Sequence, residues 1–191
     1  MIFVSSCEQD VYGCLDSQAL NYNSDATIDN NSCEYFEIGA AYQGGIVFYI
    51  DETGEHGLVA ALEDLPSTYQ WGCFGTGISG ADGQAIGTGY QNTLDIVAGC
   101  NDSNTAAFVS LNANIEGYKD WYLPSKDELM EMYNAIGQGG TNGNLGSFDD
   151  TIYWSSSGCG NGNAWLVTFA DGYAYGSHDI YTNRVRVIRA F

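Results

Sequence analysis

An α+β fold, with strands at both ends of the main domain and helices between them, is what this 191-residue chain predicts. Three observations carry the prediction. Two apolar runs, "GGIVFYI" at 44–50 and "HGLVAAL" at 56–62, flank the polar turn "DETGE" and read as a β-hairpin. A capped helical repeat, "LPSKDELMEMYNAIG", occupies 123–137. The last forty or so residues return to strand-like runs, "IYWSSS", "AWLVTFADG" and "RVRVIRAF".

The elements follow in order. Residues 1–12 form an amino-terminal segment in which "VSSC" has the form of a bacterial lipoprotein signal remnant, a small residue before a cysteine (Cys7) that becomes lipidated; the alternative is a few apolar residues beginning a strand. Residues 13–35 are polar, rich in Asn and Asp and without periodicity, which predicts a small loop-dominated module. Residues 36–191 carry the pattern of a packed domain that opens on the hairpin. Between 87 and 115 the residues favour helix, but the glycine and Cys100 in the middle predict two short helices in place of one. In the third helix, Ser125 and Glu128 form a capping box and Asp127 favours the positive helix end. Leu129, Met132, Tyr133 and Ile136 give one buried stripe, and Gly137 ends it. In the final strands, Trp165, Val167 and Phe169 are expected on one face, and Val185 and Val187 alternate with Arg184 and Arg186. The stretches 158–163 and 172–183 are too rich in Gly and Asn for core and read as polar loops, while the four tryptophans read as core. The first hairpin is expected to meet the last strand.

Charge narrows the partners. There are 24 acidic residues against 5 basic ones, a net charge of −19. Such a surface repels nucleic-acid phosphates and anionic lipid, so no nucleic acid is expected as partner. No run is long and apolar enough to predict a transmembrane segment.

The six cysteines form no C-x-x-C pair, which argues against zinc knuckles and thioredoxin-like sites and for disulfides in an oxidising compartment. Six cysteines allow 15 pairings. Within the module Cys14 and Cys33 are well spaced for a staple, which stabilises by about 3 kcal/mol in the chain-entropy model. The same segment has an oxygen rhythm suited to calcium: Asn21, Asn23, Asp25, Thr27 through its carbonyl, and Asp29. Ala26 replaces the glycine of an EF-hand loop, and Ser32 cannot supply the closing bidentate carboxylate. A structural calcium is thus one expectation and a set of Asx turns the other.

Catalysis is not expected. The two histidines, His56 and His178, lack a recognisable nucleophile partner, "WSSS" has no G-x-S-x-G elbow, and Asp127 and Glu128 are explained by capping. Ligand binding has better support. Asn161, Asn163, Tyr173, Tyr175, His178, Asp179, Tyr181 and Asn183 offer the mixture of rigid aromatic rings and adaptable amides that binding loops use.

Taken together, "GGIVFYID", "GLVAALEDL", "WGC", "ADGQAIGTGYQNTLDIV", "WYLPSKDELMEMY", "YWSSS" and "RVRVIRAF" resemble a bacterial domain family typified by the C-terminal domain of the Legionella collagen-like adhesin, over 38–191. The resemblance implies a C-type-lectin-like fold in which both chain ends join one sheet and long loops present a binding face. It also implies extracellular adhesion or ligand capture, and a pairing of Cys73 with Cys100 across the first helix. Cys7 and Cys159 are then left, and they pair with each other only if Cys7 carries no lipid. The pattern "GC.D..A.NYN..A..D..SC" separately resembles a short module of secreted Bacteroidetes-type proteins, which implies location more than activity.

Some family features are missing. The E-P-N, Q-P-D and W-N-D motifs of calcium-dependent animal lectins are absent, as is the close cysteine pair of the related formylglycine-making oxidase. Sulfated polysaccharides, the ligands associated with the adhesin family, suit a chain at −19 poorly, so a neutral glycan or a surface protein is the expected partner. The sequence therefore predicts an extracellular adhesin-like binding protein, perched on the cell surface if Cys7 is lipidated. The alternatives are a subunit of a fibre or other homo-oligomer, and a retroelement-diversified binder whose variable residues lie between "WSSS" and "RVRVIRAF".

Overall fold

The structure, a computed structural model, describes residues 9–191; Cys7 and the lipidation expected of it lie outside the described residues. The fold is α+β with mostly antiparallel sheets. In the amino-terminal module, β1 (Tyr12–Gly13) pairs in parallel with β2 (Ile28–Asp29). Three strands of a four-stranded sheet follow, β3 (Ala41–Tyr42), β4 (Gly45–Ile50) and β5 (Gly57–Ala61). Next come the short β6 (Tyr69–Gln70) and the helices α1 (Gly89–Gly99), α2 (Ala106–Leu111) and α3 (Lys126–Ile136). A meander of β7 (Ile152–Gly160), β8 (Asn163–Thr168) and β9 (Ala174–His178) precedes β10 (Thr182–Asn183) and β11 (Ile188–Ala190).

The hairpin forms for local reasons. Asp51 Oδ1 accepts the backbone N–H groups of Thr53 and Gly54, and Gly54 takes the left-handed conformation (φ +77°) that closes the turn without a Cβ penalty. Its second strand then pairs antiparallel with β11, giving the order β11-β5-β4-β3. The first hairpin thus meets the last strand, as the sequence predicts.

The third helix also follows its sequence. Ser125 Oγ accepts the Glu128 N–H while Glu128 Oε2 accepts the Ser125 N–H at 2.6 Å, a complete capping box. Leu129, Met132 and Ile136 are fully buried and Tyr133 half-buried. Gly137 ends the helix in an extended conformation, its N–H donating to the carbonyls of Met132 and Tyr133.

Two departures matter for function. The stretches expected as polar loops are largely strand. β7 runs on through Gly160, and β9 pairs with β8 along its whole length. Main-chain ladder bonds to an apolar central strand decide this, and they leave no mark on residue periodicity. Strand β8 joins both core clusters, with Ala164 and Leu166 in one and Val167 in the other, where Phe169 just past its end also packs. Trp71, Trp121 and Trp154 are core, but Trp165 is only half-buried.

Two disulfides staple the chain, Cys14–Cys33 and Cys73–Cys100. The first closes a module with few buried apolar residues, so local stability there rests on it. A Cys14→Ser/Cys33→Ser variant is expected to lose amide-exchange protection at 13–35 by roughly a hundredfold, the equivalent of about 3 kcal/mol. Protection in β4, β5 and β8 should be unchanged.

Candidate functional site

Three segments distant in sequence meet at one end of the meander: the loop 72–78, the β7–β8 turn at 160–163 and the turn 178–181 that follows β9. The first is held from below. Cys73 is bonded to Cys100 beyond α1, Trp71 Nε1 donates to the Ser155 carbonyl at 2.8 Å, and Gly158 N–H donates to the Ala81 carbonyl at 2.6 Å. The second turn has three successive residues in the left-handed region, Gly160 (φ +84°), Asn161 (φ +54°) and Gly162 (φ +71°). Two glycines around an asparagine satisfy that geometry, since these residue types tolerate positive φ best.

Asp179 ties the three together. Its N–H donates to the Gly162 carbonyl at 3.0 Å, and its Oδ2 accepts the Gly75 N–H at 3.3 Å. Its Oδ1 lies 2.9 Å from His178 Nδ1. The Asp179 side chain is 1% exposed and that of His178 43% exposed. No hydrogen bond to Oδ1 is formed with the ring as an acceptor of the Ile180 N–H, a longer contact at 3.4 Å. The Phe74 ring lies 5.2 Å from the imidazole, and Phe74 and Tyr181 are both more than half exposed. A cavity of about 80 Å³ opens beside this junction, lined among others by Trp71, Thr76, Asn161 and Asn163.

The eight residues that the sequence marks for binding are thereby divided. Asn161, Asn163, His178 and Asp179 come together here, with Asn163 directly across from His178 in the ladder. Asp179 is buried and organises the site without presenting itself to solvent. Tyr181 stands beside it, and Asn183 continues into β10, paired with Tyr69. Tyr173 and Tyr175 stack on each other at 5.9 Å, but Tyr173 sits at the β8–β9 turn, about 16 Å away along the strand. Phe74, between Cys73 and Gly75, belongs to no periodic pattern; only its place beside Cys73 hints at an exposed, stapled loop.

The buried serines of β7 have structural partners. Ser155 Oγ donates to the Trp165 carbonyl, Ser157 Oγ to the Gly83 carbonyl, and Ser156 Oγ accepts from Asn92. Lys126 lies over the half-buried Trp165 ring at 5.2 Å. Among the described residues Cys159 has no disulfide partner; the residue is exposed, and partial burial pushes its thiol pKa up. In the amino-terminal module, Asn21 Oδ1 accepts the Glu34 N–H, Asn23 Oδ1 the Asp25 N–H and Asp29 Oδ1 the Asn31 N–H; the Thr27 hydroxyl accepts the Val11 N–H. Asp25 makes no side-chain bond of this kind. Among the described residues, no group of three or more His, Cys, Asp or Glu side chains is placed to hold a metal ion.

A second, wider groove lies elsewhere, between the 62–66 and 115–118 segments and the β3 edge, with volumes of about 340 and 400 Å³ in its two halves. Four of the five cations are paired with carboxylates, so the acidic surplus remains on the surface.

With this architecture in hand, comparison with family models matches residues 61–189 to the Lcl C-terminal domain. The chain belongs to the Lcl C-terminal domain family. The matched span contains all three helices, the meander and every residue of the loop junction, and none of the amino-terminal module. Among solved structures, the chain is similar in fold to a fimbrial protein from Bacteroides ovatus, with a TM-score of 0.51 and 16% identity. That similarity covers 87% of this Lcl-family chain and 47% of the fimbrial protein, so the chain spans about half of its length. Comparison with curated proteins gave no match. Among the described residues, no helix is long and apolar enough to cross a membrane.

Proposed function

We propose that this chain is an extracellular adhesin-type binding protein with a C-type-lectin-like fold, which captures a neutral glycan on the junction of 72–78, 160–163 and 178–181. The observation that carries the reading is the buried Asp179, which joins three remote segments into one surface flanked by exposed Phe74 and Tyr181. Exposed rings stack on the C–H faces of sugars, and the asparagine amides of the turn supply donors and acceptors for hydroxyls. The lectin-like assignment draws support from the sheet that joins the first hairpin to the last strand, and from the loops gathered at one end of the meander. An outer-surface location follows from the adhesin resemblance, and a lipid anchor at Cys7 would fix it there.

The same reading makes the protein a binder and not an enzyme. The serines of "WSSS" are fully buried and hydrogen-bonded, so none meets a substrate. A panel of immobilised neutral glycans and bacterial or host surface proteins tests the proposal. The purified chain is expected to be retained on neutral glycans, and a Phe74→Ala/Tyr181→Ala variant to lose at least tenfold in affinity. Retention that ignores both substitutions would place the ligand elsewhere.

A second reading, a fibre subunit, is favoured by the similarity to a fimbrial protein and by β9, which has no second partner strand among the described residues. Filaments on electron-microscope grids would favour it over a monodisperse binder. Diversification of the 158–183 region across alleles of one strain is a further proposal compatible with either. Calcium in the 13–35 module stands as a proposal beside the Asx turns, which give its Asn and Asp rhythm another cause. A fall in Tm on chelation would support the ion; an unchanged Tm would leave the disulfide and the turns as its only holders.

A further inference from the structure

The His178–Asp179 contact has a chemical consequence that bears on what the site reads. A carboxylate oxygen inside a protein is costly to leave without a donor. Asp179 Oδ1 is such an oxygen unless the Nδ1 of His178, 2.9 Å away, carries a hydrogen. The competing arrangement, in which Nδ1 accepts the Ile180 N–H at 3.4 Å, is the weaker one. Ile180 is exposed, so its N–H can be served by water, whereas the buried oxygen cannot. The balance of the two costs places the proton on Nδ1.

We infer that Asp179 holds neutral His178 as the Nδ1–H tautomer, leaving Nε2 as an unprotonated acceptor that reads a hydroxyl of a neutral saccharide. A carboxylate or carbonyl on one ring nitrogen sets the state of the other in this way wherever histidine is used for recognition. Asp179 is a positioning residue and His178 the residue that touches ligand. The Phe74 ring beside the imidazole supplies the apolar flank on which a sugar face rests. An acceptor nitrogen rejects anionic ligands, in accord with the net charge of −19. This inference rests on the proposed binding site and names the chemistry of its ligand.

The titratable groups around the ring are few. Its own turn carries Asp179 and Tyr181, and β7 carries the Cys159 thiol, whose raised pKa keeps it neutral. The 72–78 loop holds no ionisable side chain apart from the bonded Cys73, and the 160–163 turn holds none.

Long-range ¹⁵N–¹H correlation spectra of the two histidines at alkaline pH, with His56→Gln for assignment, read the tautomer directly. The expected result is a protonated Nδ1 and a bare Nε2 in His178. A protonated Nε2 in the neutral ring would overturn the inference while leaving the proposed site standing. Saturation-transfer NMR with the methyl glycosides of galactose, glucose, mannose and N-acetylglucosamine then tests the ligand class. At least one is expected to bind, with affinity about tenfold weaker in His178→Ala. Asp179→Asn should weaken binding and shift the tautomer together. Binding indifferent to His178 would overturn the inference alone; no glycoside bound at millimolar concentration would overturn the proposed glycan function with it.

Discussion

Replacing Arg186 by methionine should lower the unfolding free energy by about 3–5 kcal/mol, a fall in Tm on the order of 10 °C for a chain of this size. Arg186 is 2% exposed and meets Asp64 at 2.7 Å. Its Nη1 also donates to the carbonyls of Ala61, Leu62 and Gly146, and the guanidinium lies 4.2 Å from the Phe148 ring centroid. Tyr153 donates its hydroxyl to the other Asp64 oxygen, and burial pushes that phenol up so that it stays a donor. Methionine fills much of the volume but strands the carboxylate and two buried carbonyls. The desolvation penalty of those groups is what makes the loss large; the ion pair itself contributes little net stability. An Asp64→Leu/Arg186→Met double variant should therefore recover more than half of the loss in a chemical-denaturation series. Equal destabilisation in single and double variants would show that the carbonyl contacts, and not the stranded charge, decide the cost.

The second large effect is expected at Glu128. Its carboxylate closes the capping box and also accepts the Gly87 N–H at 2.8 Å, so it fastens the start of α1 to the start of α3. The space is tight: a Cβ on Gly89 would come within 2.7 Å of the Ser125 backbone nitrogen. Glu128→Ala loses the cap, worth about 1 kcal/mol, and leaves the buried Ser125 N–H and the part-buried Gly87 N–H without their acceptor, for a total of about 2–4 kcal/mol. Part of this is offset, because burying a carboxylate is itself unfavourable. Burial, the largest influence, raises the Glu128 pKa above its ordinary value of 4.5 against the lowering effect of the N–H donors. The folded state thus binds the proton more tightly than the unfolded chain. The stability from this linkage is present in full below pH about 4.5 and is lost as pH rises through the folded pKa. The difference in stability between wild type and Glu128→Ala should accordingly shrink from acid to neutral pH. A gap that widens over that range would mean that the donors outweigh burial.

How far the sequence reveals this molecule depends on whether local pattern or tertiary partners decide each element. The third helix is legible down to its capping hydrogen bonds, because Ser125, Glu128, Leu129 and Met132 each act on a neighbour three or four residues away. The hairpin is legible for the same reason. Strand β9 is not: "AYGSH" has no alternation, and only its ladder to Asn163–Thr168 makes it a strand. The arginines of "RVRVIR" look like the polar face of an edge strand, yet Arg186 and Arg189 turn inward to Asp64 and Asp120, which lie 122 and 69 residues away. At the candidate site, the residue types were readable and their grouping was not. Asp179 and His178 are adjacent in sequence, but the partners that give them meaning, Gly75, Phe74 and Gly162, arrive by way of a disulfide and a turn. Tyr173 shares their composition and ends up at the far end of the strand.

Ligand is expected to settle on the junction organised by Asp179 and not in the wider groove beside β3. Hydrogen–deuterium exchange of the full chain, with and without a saturating neutral glycan retained on the array, tests it most directly. Protection is expected at 72–78, 160–163 and 178–181, with no change at 41–45, 62–66 and 115–118. Protection confined to the second set of segments would contradict the account.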